Sequence, residues 1–221
     1  MQVPLRLRTI AKFVKPGEKV ADVGADHGIL ELLLISRKTN NEVVAIENKK
    51  GPYEILKENL IGIKNIRLSL SDGLTAVDKN VDTVVIAGMG GINIVNILKE
   101  YPEKVRKLDK IIVDPHRDNK LVRTYLTQEM GYKITHEKIV RENEKFYVIT
   151  VFENKPTKIE YDLDSLEFGY KIYKDKLWDE YKNYLIFKYQ RNMENIKSPA
   201  KIKMLKQTIE RLENYGKNQT L

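Results

Sequence analysis

Ala21-Asp22-Val23-Gly24-Ala25-Asp26-His27-Gly28 links a short apolar run at 19–23 to a longer one at 29–35. The first has strand length and β-branched residues. The second, opened by a glycine turn, reads as a buried helix. The same alternation then continues along the chain. Residues 43–47 form a second strand ending at Glu47, and Pro52 starts a helix that runs through 53–60. Strands at 66–70 and 83–87 come next, then a helix at 92–98 and a fifth strand at 110–114 that Pro115 ends. A helix at 121–130 stops at Gly131. Strands separated by helices imply right-handed crossovers and a parallel sheet.

The pattern changes after Gly131. Residues 132–140 and 145–152 both read as strands, joined only by Arg141-Glu142-Asn143-Glu144. So short a connection requires an antiparallel hairpin. The expected fold is α/β: a doubly wound, Rossmann-like sheet, mostly parallel, with an antiparallel last strand. That is the class I methyltransferase variant, whereas dinucleotide-binding sheets are normally all parallel.

Lys155-Pro156-Thr157-Lys158 reads as a linker, which divides the chain into 1–154 and 155–221. Beyond it, Trp178, Tyr181, Leu185, Tyr189, Met193 and Ile196 recur at helical spacing, as do Ile202, Leu205, Ile209 and Leu212. Ser198 and Pro199 supply an N-cap and a first-turn proline between them. The expectation is a helical hairpin with a coiled-coil-like seam.

Composition limits the function classes. With 42% hydrophobic and 32% charged residues, the 221-residue chain reads as soluble and globular rather than disordered. It has no apolar run of about 20 residues and no signal-peptide pattern at residues 1–15, so a cytoplasmic location is expected. The absence of cysteine excludes disulfides, thiolate zinc sites and a thiol nucleophile. His27, His116 and His136 lack metal-ligand spacing, so no metal is expected. Net charge is +8, and residues 155–221 carry +4 of it, from 14 Lys+Arg against 10 Asp+Glu. A basic surface favours a phosphate-backbone partner. The oligomeric state stays open, a monomer being compatible.

Ligands of doubly wound sheets bind beyond the carboxyl ends of the strands. Gly24 and Gly28 permit a tight turn there, and the following helix N-terminus offers free N–H groups. A pyrophosphate loop normally has glycine where this chain has Asp26. A carboxylate there suits a ligand with an ammonium and a sulfonium, which describes S-adenosylmethionine. Glu47 can accept ribose hydroxyls, and Asp72, in Ser71-Asp72-Gly73, an adenine amino group. Gly88-Met89-Gly90-Gly91 replaces the Asn/Asp-Pro-Pro-aromatic signature of exocyclic-amine methylation. It implies a wide opening and a ring-nitrogen, oxygen or small-molecule target. Asp114-Pro115-His116-Arg117 lies at the same rim, where Arg117 could hold a phosphate and His116 could stack.

The chain resembles the bacterial tRNA (adenine-22, N1)-methyltransferase family. The likeness rests on Arg6-Leu7, Ala21 to His27, Glu47 with Gly51-Pro52, Asp72-Gly73-Leu74, Ile86 to Gly91, the Glu142, Lys145 and Tyr147 hairpin, and Phe168-Gly169. It implies a methyltransferase domain with a C-terminal helical coiled-coil domain, contact of that hairpin with tRNA being left open. It also implies S-adenosylmethionine as methyl donor to N1 of adenine 22 in the D arm. The implied cofactor positions are Gly24, Asp26, Glu47, Asp72, Gly73, Gly88 and Met89, with Asp22, His27 and Gly28 in the same loop. Arg6, Arg8, His116, Arg117 and Tyr147 are the expected substrate contacts, and Asp26 is the expected stabiliser of the cationic product. Asp114-Pro115-His116 departs from the Gln-Pro-Asn expected after the fifth strand. Methylation of a small molecule or protein, a nicotinamide-dependent enzyme and a non-catalytic RNA-binding protein are the rival readings.

Overall fold

The computed structural model describes residues 3–39, 41–155 and 159–217. Seven strands form one sheet: β1 (Lys19–Val23), β2 (Glu42–Glu47), β3 (Ile66–Leu70), β4 (Thr83–Met89), β5 (Lys110–Pro115), β6 (Lys133–Glu142) and β7 (Lys145–Glu153). Their order is β3-β2-β1-β4-β5-β7-β6. The first five pair in parallel, while β7 runs antiparallel to both β5 and β6. The reversed last strand expected from the short connection is therefore present. Pairing extends to Glu142 opposite Lys145, so the turn is only Asn143-Glu144. Both of those residues are left-handed, with φ of 48° and 58°, as a tight hairpin turn demands.

Side chains of β1 alternate between two layers, which is why its run is apolar throughout. Ala21 and Val23 face a core shared with α4 (Gly91–Glu100), α5 (Pro102–Val105) and α6 (Asn119–Thr124). Val20 faces α1 (Leu5–Phe13) and α2 (Ile29–Ser36), while Leu56 of α3 (Lys50–Asn59) packs on Ala45. Leu34 and Leu98, one in each layer, are fully buried, and truncating either costs about 2–5 kcal/mol.

Two elements differ from the sequence reading. Helix α1 was not foreseen, although Leu7, Ile10, Ala11 and Val14 recur at helical spacing and turn one face inward. The single helix expected over 121–130 is α6 followed by a π-helical turn at Tyr125–Glu129. Consecutive Tyr125 and Leu126 are both buried, and the widened turn brings the pair inward.

The C-terminal part comprises α7 (Leu163–Phe168), a 3₁₀ turn at Ile172–Lys174, α8 (Trp178–Glu194) and α9 (Pro199–Asn214). Pro156, Thr157 and Lys158 of the expected linker lie outside the described residues. Ser198 caps α9 by accepting from the Lys201 amide at 3.5 Å, with Pro199 next to it. Ile196 falls beyond the end of α8. Trp178, Tyr181, Leu212 and Tyr215 bury their rings and side chains with Ile139 of β6 and Val148 of β7. The hairpin's apolar stripe thus packs on the sheet as well as along its own seam. The buried Arg123–Glu137 ion pair, 2.8 Å apart, reinforces this junction, and Arg123 also donates to the Leu166 and Glu167 carbonyls of α7. No helix among the described residues is long and apolar enough to cross a membrane.

Candidate functional site

The carboxyl ends of β1, β2 and β4 meet at one rim. After β1 the chain turns sharply, and the Gly24 and Ala25 amides both donate to the Ile46 carbonyl, at 2.8 and 3.0 Å. Gly24 has φ +83°, and a Cβ there would stand 3.3 Å from the Met89 methyl. Gly28 opens α2 at φ +74°, with Leu60 only 2.9 Å from where a Cβ would lie. Asp26 is left-handed too, at φ +50°, a conformation costing about 1 kcal/mol or more in a non-glycine residue.

This turn walls a narrow cleft together with Val23, Ile46, Asp72, Met89 and Ile97. The walls are largely apolar, one carboxylate borders them, and no basic side chain lines them. Glu47 sits beside the cleft with Oε1 accepting from the Asn48 and Lys49 amides at 3.0 and 2.9 Å. Its orientation is thereby fixed, and Oε2 is unengaged among the described residues. Asp72 accepts from the Asn48 side-chain amide at 3.2 Å. A pyrophosphate would meet the Asp72 carboxylate, with Glu47 close by, and no lysine or arginine among the described residues of the lining. Apolar walls for a heterocycle, with carboxylate acceptors for a ribose and a cationic tail, make the residues fit S-adenosylmethionine.

A second group lies beside Gly88. Arg6 donates from Nη1 to Asp114 Oδ2 at 3.2 Å and lies 3.8 Å from Glu142. Its guanidinium stands 5.7 Å from the Tyr147 ring centre, and Tyr147 meets His116 edge-on at 5.7 Å. A Cβ on Gly88 would lie 3.5 Å from Arg6 and 4.0 Å from His116. Arg6, His116 and Tyr147, expected separately from the sequence, thus form one corner. Asp114 is fully buried and its Oδ1 lacks a partner. Burial raises its pKa, against the pull of Arg6.

Beneath this corner lie two more buried carboxyls. Burial pushes Asp22 up to about 7, opposed by Glu31 and Arg6. Burial and the Asp22 charge push Glu31 well above the usual carboxylate range, and the two carboxyls face one another. The pair therefore shares a proton at neutral pH.

Other expected residues lie apart. The Asp26 side chain is 63% exposed and 3.6 Å from His27, and none of its described contacts reaches Arg6, His116 or Tyr147. Arg8 is exposed on α1. Arg117 is 80% exposed and 3.7 Å from Asp118. Part of the glycine cluster serves packing rather than an opening: a Cβ on Gly91 would stand 2.6 Å from the Asp118 carbonyl. The sequence reading overlooked Glu31, although a lone acid within Ile29-Leu30-Glu31-Leu32-Leu33 was a visible signal. It also overlooked Asn48, for which the sequence carries no signal. Among the described residues no three metal-capable side chains cluster.

Residues 3–150 match the family described as Methyltransferase domain. The tRNA (adenine(22)-N(1))-methyltransferase of Bacillus subtilis strain 168 is 30% identical over 173 residues, covering 76% of this chain and 72% of that protein. A candidate tRNA (m1A22) methyltransferase of Streptococcus pneumoniae superposes with a TM-score of 0.87 at 29% identity, over 96% of this chain and 99% of that one. Its complex with S-adenosyl-L-methionine superposes at 0.80 with the same identity and coverage.

Proposed function

We propose, because this chain belongs to the tRNA (adenine-22, N1)-methyltransferase family, that it transfers a methyl group from S-adenosyl-L-methionine to N1 of adenine 22 in tRNA. The observation that carries this reading is the acid-bordered cleft between Gly24 and Met89, whose neighbour Gly88 lies against Arg6 and His116. That arrangement sets a cofactor cleft against a corner able to receive a base. The Watson–Crick edge of adenine is hidden in a helix, so the base must leave its stack to react. A tRNA substrate also accounts for the chain's net charge of +8 and for a cytoplasmic place of work.

S-adenosyl-L-methionine supplies an electrophilic methyl group when bound. Adenine N1 attacks it with a free lone pair, so no base is required. The protein's main contribution is orientation in line with that methyl. Glu47 Oε2 is placed to accept ribose hydroxyls, and Asp72 with Gly73 borders the adenine end. Asp22, Gly24, His27 and Gly28 shape the turn, and Gly88 and Met89 close the cleft toward the acceptor. Tyr147 and His116 present ring edges to the incoming base. Arg6, Arg8 and Arg117 offer cations to the RNA backbone. The product adenine is positively charged, and Asp26 at the open rim is our candidate for stabilising it. Residues 1–154 carry the chemistry, and residues 155–221 extend the RNA-binding surface.

The test is to methylate unmodified tRNA, digest it to nucleosides and identify the product by chromatography and mass. The expected product is 1-methyladenosine. N6-methyladenosine, or label confined to protein, would overturn the reading.

A further inference from the structure

A groove of about 630 Å³ leads away from the His116 corner toward the C-terminal hairpin. Its mouth is formed by Pro115, His116 and Arg117, its floor by Phe146 of β7, and its far wall by Tyr184 and Lys188 of α8. The volume lies within the range of about 300–1,000 Å³ typical of small-ligand sites. The Phe146 and Tyr184 rings are 5.1 Å apart, and Tyr181 stacks on Tyr184 at 6.5 Å with 24° between planes. The Lys188 ammonium stands 5.3 Å from the Tyr184 ring centre. Of the groove cations, Lys120 is paired with Glu167 at 2.7 Å, and the exposed Arg117 stands 3.7 Å from Asp118. Lys188 has no carboxylate partner among the described residues.

The same face continues outward. A second hollow shares Tyr184, Lys188 and Asn192 with the groove and adds Phe187 and Arg191. Phe187 is 59% exposed, so core packing does not explain it. Aromatic and cationic residues thus alternate at four-residue spacing along α8: Tyr184 with Lys188, and Phe187 with Arg191. The half-buried Tyr184 and the exposed Phe187, each four residues before a cation with no carboxylate partner among the described residues, match unstacked nucleotides, whose bases stack while their phosphates pair.

Accepting the proposed reaction, drawing one adenine out of its stack also unstacks its neighbour. We propose that this groove seats an unpaired nucleotide of the tRNA next to the target adenine, its base on the Phe146–Tyr184 platform and its phosphate at Lys188. The path from the Gly88 corner through His116 to Tyr184 is continuous, as adjacent nucleotides require.

The experiment measures affinity for an unmodified tRNA transcript, methyl transfer to it, cofactor affinity and thermal midpoint in the full chain. The variants are Lys188→Glu, Tyr184→Leu and Tyr184→Phe. Lys188→Glu and Tyr184→Leu are expected to weaken tRNA binding about tenfold or more, while Tyr184→Phe keeps the ring and the affinity. Cofactor affinity and the midpoint of Lys188→Glu should stay at wild-type values. A wild type that methylates tRNA, with both Lys188→Glu and Tyr184→Leu binding it normally, overturns the proposal. A wild type that binds tRNA without methylating it, with those variants weakened, retains the groove and removes the proposed reaction instead.

Discussion

Arg6 donates to the buried Asp114 carboxylate across 3.2 Å, tying the N-terminal helix to the end of β5 beside Gly88. Arg6→Ala would leave Asp114 buried without its cation. Because Arg6 is partly exposed, the full penalty of a broken buried pair is reduced, and a loss of about 1–3 kcal/mol is expected. Urea denaturation reads this as a lower midpoint at unchanged slope. Methyl transfer should fall as well, since Tyr147 loses the cation beside its face. Unaltered stability and turnover would mean the pair is incidental.

Asp22 and Glu31 make stability depend on pH in an uncommon direction. Both have folded pKa values raised above their unfolded ones, so the folded state holds extra proton there. The contribution of this pair to stability is then fully present below about pH 4 and is lost as pH rises through about 7. Arg6 opposes the trend at Asp22 without reversing it. In Glu31→Gln the slope between pH 6 and 8 should flatten relative to wild type. Parallel midpoint curves for the two proteins would contradict this.

The Arg123–Glu137 pair is buried on both sides and joins α6 to β6, with α7 held through Arg123. Truncating Arg123 to alanine strands the Glu137 carboxylate, and a loss of about 3–5 kcal/mol follows. Glu137 also accepts from Thr150 at 2.8 Å, which compensates only part of it. Calorimetric unfolding measures the cost; a decrease below about 1 kcal/mol would show that the junction relaxes.

Asp26→Asn isolates charge from backbone, because asparagine also tolerates the left-handed conformation seen at φ +50°. Solvent screens an exposed carboxylate, so the expected drop in turnover is about tenfold, with cofactor affinity nearly kept. Near-normal turnover at saturating cofactor would remove Asp26 from the chemistry and leave orientation as the whole of catalysis.

The sheet was legible because β1, β2, β4 and β5 are buried on both faces and the strands are bounded by turn chemistry. Ile66–Leu70 was read to the residue, and the reversed β7 followed from the length of one connection. Helix α1 was overlooked although Leu7, Ile10, Ala11 and Val14 recur at helical spacing; that face packs on α2, β6 and β7. In the site, Gly24, Glu47, Asp72 and Met89 stood out because each falls at a strand end. The Arg6–Asp114 pair joins residues 108 apart in sequence, and no local pattern encodes such a meeting. Glu31 was visible as a lone acid in an apolar helix, but only the fold reveals that it faces Asp22 rather than solvent.

The central claim is tested most directly by labelled methyl transfer from S-adenosyl-L-methionine to two tRNA transcripts, one unmodified and one with adenine 22 replaced by guanine. Label on the first and none on the second is the predicted result. Equal label on both, or none on either with cofactor binding intact, would contradict it.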